Sequence, residues 1–144
     1  MTRDEIEKIL ASILEKEERP FDLPTIDEWN DLSKKFNCKF SDDFKYFIEL
    51  MSEYSFPGDI HNVSFGRTNG NDSIALVYDY EMQDGNWNAD LIPFYGIGNG
   101  DYFCISAKES PNSHVYYFYH DDLIIEQYSN DFEEWINGLP TFLA

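Results

Sequence analysis

Three glycines at alternate positions, Gly96, Gly98 and Gly100, follow the apolar run IPFY at residues 92–95. Such spacing can bring bare backbone amides against a phosphate. A phosphate loop also needs a helix N-terminus behind it and a cation beside it. Here the glycines lead into DYFCISA (101–107), which alternates like a strand. Asp101 would stand beside the anion, and no lysine or arginine occurs between Arg67 and Lys108. Neither G-x-G-x-x-G nor the G-x-x-x-x-G-K loop is present. The stretch therefore reads as a connection between two strands, with Asn99-Gly100 supplying the positive φ values of a tight hairpin turn.

The other residue types able to do chemistry give little more. Of the three histidines, His61, His114 and His120, the last two share a strand face but stand about 20 Å apart at ~3.3 Å per residue, too far for one ion. Cys104 lies among apolar residues, where burial raises a thiol pKa and silences it as a nucleophile. The oxygen-rich NGNDS (69–73) and DGNWNAD (84–90) depart from EF-hand spacing, which leaves only weak calcium binding open. No catalytic residue, resident metal or cofactor is expected, and an enzyme is the least supported class.

The elements that position these residues change period near residue 60. Thr2 with Glu5 and Thr25 with Glu28 form capping boxes. They open two helices with apolar stripes at Ile6, Ile9, Leu10, Ile13, Leu14 and at Ile26, Trp29, Leu32, Phe36. Pro20 and Pro24 separate them. Ser41 caps a third helix, striped by Phe44, Phe47, Ile48 and Met51, and FPGD (56–59) ends the helical section. HNVSF (61–65) reads as a short strand. Residues 71–83 fit a helix face (Ile74, Val77, Tyr78, Glu81) and also an alternation (Ile74, Leu76, Tyr78, Tyr80); helix is the reading taken, with strand the alternative. Strands follow over 90–96, 101–107, 114–120 and 123–128. Asn130 with Glu133 caps a closing helix that buries Phe132, Trp135, Ile136 and Leu139 and stops at Gly138 and Pro140. The expected fold is α+β: N-terminal helices, a mostly antiparallel or mixed sheet of four to six strands, and a C-terminal helix, in one domain over 1–144 with a helix and linker at 1–24.

Charge decides the kind of partner. The 144 residues carry 28 acids and 10 bases, a net charge of -18. Residues 1–60 hold 15 acids against 8 bases, while residues 61–144 hold 13 acids against Arg67 and Lys108 alone. Such a field repels nucleic acid and anionic lipid and draws in basic proteins. The candidate contact residues are Asp72, Asp79, Glu81, Asp84, Asp90, Asp121 and Asp122, with Trp87, Tyr116 and Tyr119 as aromatic anchors. Each acid taken singly is equally a solvated side chain; the case rests on the set. Tyr117 and Phe118 cannot share one core, so the sheet either exposes an aromatic or has a helix over its second face. The N-terminus lacks an apolar signal core, no run reaches membrane-spanning length, and two cysteines are too few for a disulfide framework. These features point to a cytoplasmic protein with reduced thiols.

The order IPF, then GNGD, then YFCI resembles the SUKH superfamily (the Smi/Knr-like proteins). HVYYFYHDD (114–122) resembles the family's next strand, YSNDFEEWI (128–136) its closing helix with Trp135, and SDDFKYFIELM (41–51) the helix before its first strand. The likeness spans roughly residues 25–139. It departs where the usual glycine-rich strand is only FPGDIHNVSF (56–65). The resemblance implies binding without catalysis. Bacterial members are mostly immunity proteins that neutralise a cognate polymorphic toxin, often a nuclease, inside the cell that makes it. Others are adaptor-like regulators, which leaves a protein-binding module unconnected to any toxin as the alternative. A nuclease cleft must be basic to hold polyphosphate, so carboxylates can match it. Sequence leaves the oligomeric state open.

Overall fold

The computed structural model describes residues 1–18, 20, 22–61, 63 and 73–144. Helices α1 (Arg3–Ile13), α2 (Ile26–Phe36) and α3 (Asp42–Leu50) precede a two-residue strand β1 (Asp59–Ile60). Helix α4 (Ile74–Asp84) follows, then β2 (Leu91–Gly96), β3 (Tyr102–Ser106), β4 (Val115–Tyr119), β5 (Ile124–Ser129) and α5 (Phe132–Phe142). The strands form one antiparallel sheet in the order β1-β2-β3-β4-β5, so each connection runs to its neighbour and the fold is α+β.

Local chemistry starts the helices where expected. Thr2 and Thr25 each accept the N3 amide while Glu5 and Glu28 reach back to the cap amide. Ser41 caps α3, and Ser73 caps α4 by accepting from the Leu76 amide. α4 settles the ambiguity of 71–83 in favour of helix: Ile74 and Val77 are buried, whereas Leu76 and Tyr80 point outward.

The sheet is covered on both faces. On one, Ile92, Phe94, Phe103, Ile105, Val115 and Tyr117 meet α1, α3 and α5 in the main core. Rings of Phe44, Phe47, Phe94, Phe132 and Trp135 interlock edge to face, Phe94 and Trp135 at 5.1 Å. A register shift between Pro93 and Tyr95 lets the successive Phe94 and Tyr95 enter this same core. On the other face, Trp87, Leu91, Cys104 and Phe118 make a smaller core, with Tyr78 of α4 against it. Tyr117 and Phe118 thus split between two cores, and the covering helix is what accounts for both.

Four expectations need correcting. Ile26 is 80% exposed because it opens α2 ahead of the packed stripe Trp29, Leu32, Phe36. The described strand is Asp59–Ile60, ahead of the 61–65 expected; His61 and Val63 are outside any strand, although the His61 amide still donates to the Phe94 carbonyl at 2.9 Å, and residues 62, 64 and 65 lie outside the described residues. The cap of α5 is Asp131, whose carboxylate accepts from the Glu134 amide at 2.8 Å, one residue later than Asn130 with Glu133. α5 also passes through Gly138 and Pro140 to Phe142. In a last turn a proline forfeits a single carbonyl partner, that of Ile136, and the apolar face of the helix outweighs it.

Candidate protein-binding surface

The glycine stretch builds a clasp. Positive φ falls on Gly98 (98°) and Gly100 (96°), not on Asn99 as the hairpin reading had it. Asn99 instead turns the chain with its side chain, Oδ1 accepting the Asp101 amide at 3.0 Å, and the Ile97 amide closes the loop onto the Asp101 carbonyl at 3.2 Å. The Asp101 carboxylate is buried and fully engaged. It accepts from the Tyr117 hydroxyl at 2.7 Å, the His120 amide at 2.9 Å and His120 Nδ1 at 2.5 Å. One side chain on the β2–β3 loop therefore fixes the β4–β5 turn. An anion would meet this carboxylate, so the loop is a turn with a structural task.

His120 stands between two carboxylates, its Nε2 lying 3.0 Å from Asp121 Oδ1. The hydrogen bond to Asp101, then the Asp121 and Asp101 charges, raise its pKa, and an imidazolium can donate to both at once. Burial would push Asp101 up, but its bonds to the His120 amide and ring and to Tyr117 outweigh that and lower it. The ring also packs on Gly100, where a Cβ would come 2.9 Å from His120 Cγ. The remaining nucleophile candidate, Cys104, is fully buried and its pKa is raised by that burial. Among the described residues no three His, Cys, Asp or Glu side chains group to hold a metal.

The contact residues expected from sequence divide. Asp121 and Asp122 are exposed on the β4–β5 turn, with Tyr119 beside them donating to Glu126 at 3.1 Å. Asp84 is exposed at the C-terminal end of α4. Asp79 is exposed but pairs with Lys35 at 2.7 Å, and Asp90 pairs with Lys108 at 3.2 Å. Both pairs reduce the charge expected for the contact set, and their cations come from a remote helix and a following segment. Glu81 is half-buried and accepts from Tyr102 at 3.0 Å. Tyr116 is half-buried, donates to Glu109 at 2.6 Å, and has its pKa pushed up to about 12 by burial and that bond. Trp87 is 8% exposed, 4.7 Å from the Phe118 ring, and donates to the Leu91 carbonyl. It belongs to the smaller core and leaves the contact surface. Asp72 lies outside the described residues.

A family model described as "SMI1-KNR4 cell-wall", of the SUKH type, matches residues 3–140. The chain belongs to the SUKH family. No curated protein matches it. A crystal structure of a protein from Pseudomonas syringae pv. tomato is similar at 17% identity, with a TM-score of 0.56 over 78% of this chain and 81% of that one. At that identity the likeness shows the fold alone. Among the described residues no helix is long and apolar enough to cross a membrane.

In this SUKH domain the exposed apolar residues of the sheet gather where sequence reasoning did not look. Leu123, Ile124, Ile125 and Tyr128 are 49%, 52%, 39% and 46% exposed, along β5 and the turn before it. The acids Asp121, Asp122 and Glu126 accompany them, and none pairs with a lysine or arginine among the described residues. The signal was in LIIEQY: a last strand apolar on both faces, which a meander leaves at the sheet edge.

Proposed function

We propose that this SUKH protein is an immunity protein. It binds a cognate polymorphic toxin with a basic, nuclease-type active region and neutralises it by occlusion, without catalysis. Family membership supports binding as the mode of action, since SUKH members include immunity-like proteins. The observation that carries the reading is the exposed group Tyr119, Asp121 and Asp122, whose two acids have no lysine or arginine partner among the described residues and sit on a turn that Asp101 and His120 fix in place. A rigid acidic turn beside apolar residues suits a positively charged partner: the charges speed encounter and reject wrong partners, and the apolar contacts hold the complex.

Co-expression with a toxin encoded beside the gene tests this. Cells should survive only with the immunity chain present, and Asp122→Asn, at an acid that takes no part in the His120 clasp, should lower the association rate and its salt dependence while leaving the fold intact. Affinity that is indifferent to salt between low and physiological ionic strength would refute the electrostatic mechanism. Survival without the chain would refute the immunity reading itself.

A further inference from the structure

We infer that the outer edge of β5 is a strand-docking site, taking an extended segment of a partner protein in which apolar residues alternate with lysine or arginine. This rests on the protein-binding reading above and specifies how the partner is held. β5 ends the sheet, so the backbone groups along its outer edge have no strand partner among the described residues. Natural edges are blunted by short length, proline or several charges. β5 spans six residues without proline, and Glu126 is its one charged side chain. Ile124 and Tyr128 lie on one face and Ile125 on the other, so an added strand would find apolar neighbours on both of its own faces.

Leu123 makes the same point independently. It holds φ of 54°, a conformation suited to glycine or asparagine, while its side chain stays half in solvent. A bulky residue held in that strained conformation with half its surface in solvent gives a partner an apolar contact at the strand's start. Charge selects the occupant. Asp121, Asp122 and Glu126 border the edge, and β4, β5 and the turn between them contain no lysine or arginine. A basic strand meets attraction there. A second copy, bringing another -18, meets repulsion.

The test is amide hydrogen exchange on the full chain, alone and with a ten-residue peptide alternating valine and lysine. Exchange at residues 123–129 should slow about tenfold when the peptide stands near ten times its Kd. N-methylation of every backbone amide of the peptide, which leaves neither of its edges able to donate, should abolish the effect, as should Ile124→Lys or Ile125→Lys, which place charge on an already exposed edge. No slowing at 123–129 overturns the proposal. So does equal slowing by the N-methylated peptide, which means that charge alone docks it. Concentration-dependent protection of 123–129 in the chain alone also overturns it, because a second copy then fills the edge. A chain that takes the peptide on β5 but fails to protect cells from the neighbouring toxin refutes the immunity reading and leaves strand docking standing.

Discussion

Replacing two glycines of one loop separates backbone strain from packing. Gly98 and Gly100 have nearly the same φ, 98° and 96°, so alanine at either meets a conformational cost of about 1–2 kcal/mol. Their surroundings differ. Nothing lies within 4 Å of a Cβ at Gly98, whereas one at Gly100 would sit 2.9, 3.1 and 3.2 Å from Cγ, Cδ2 and Nδ1 of His120. Carbon atoms prefer about 3.5–4.0 Å, so the ring must retreat by about 0.6 Å or more. It cannot do so freely, because Nδ1 is held by Asp101 and Nε2 by Asp121. Overpacking of this kind costs about 1–3 kcal/mol. Gly98→Ala should therefore lose about 1–2 kcal/mol and Gly100→Ala about 2–5 kcal/mol. Urea unfolding followed by tryptophan fluorescence reads both, as midpoint shifts at constant slope. In a His120→Ala background the excess at Gly100 should vanish and the two variants should match. Equal losses in the native background, or an excess that survives His120→Ala, would refute the clasp.

Trp87→Ala should destabilise the chain by about 3–5 kcal/mol through the smaller core, as measured by unfolding; a loss of partner affinity with stability unchanged would instead make Trp87 a contact residue. Leu123→Gly removes the αL strain and should leave stability equal or raise it by about 0.5–1 kcal/mol, while weakening the valine–lysine peptide at β5. The raised His120 pKa gives a pH signature. The bonds to Asp101 and Asp121 favour the imidazolium, so their stabilisation is fully present below the unfolded-state pKa and fades as pH rises through the folded one. The stability gap between the native chain and His120→Gln should accordingly shrink from pH 6 to pH 9, and a gap that grows would overturn the assignment of the proton. Asp101 runs the other way: its pKa is lowered, so its contribution is complete above the unfolded value and is lost as pH falls through the folded one.

What could be read from sequence was what neighbours in sequence decide. The capping boxes at Thr2 and Thr25 use residues three apart, and both form. The same locality misplaced the last cap: Asn130 and Asp131 are adjacent and both suitable, and the packing of Phe132 and Trp135 against the sheet selects the frame. Pairings across the fold were out of reach. Asp79 looked free because its cation is Lys35, on another helix. Trp87 looked like an anchor because nothing nearby in sequence says that α4 closes over Cys104 and Phe118. The strand edge was missed for a related reason. β2 to β5 were legible as strands and β1 was expected too late, but that LIIEQY ends the sheet follows only once the strands are taken as a meander, which is a property of their order.

The clasp and the edge are two ends of one device. Asp101 is held beneath the β4–β5 turn by Tyr117 and His120, and the turn it fixes carries Asp121, Asp122 and the strained Leu123 directly into β5. A docking strand loses affinity to whatever disorder its receiving edge must surrender on binding. Anchoring the start of β5 through a buried carboxylate removes much of that cost before the partner arrives, and it does so without covering the edge. The glycines that first suggested a phosphate loop make this possible: only a residue without a side chain lets His120 lie close enough at position 100 to reach Asp101 and Asp121 together. Loosening the clasp by Gly100→Ala should thus weaken strand docking in proportion to the motion it restores to residues 120–124, even though none of the altered atoms touches the partner.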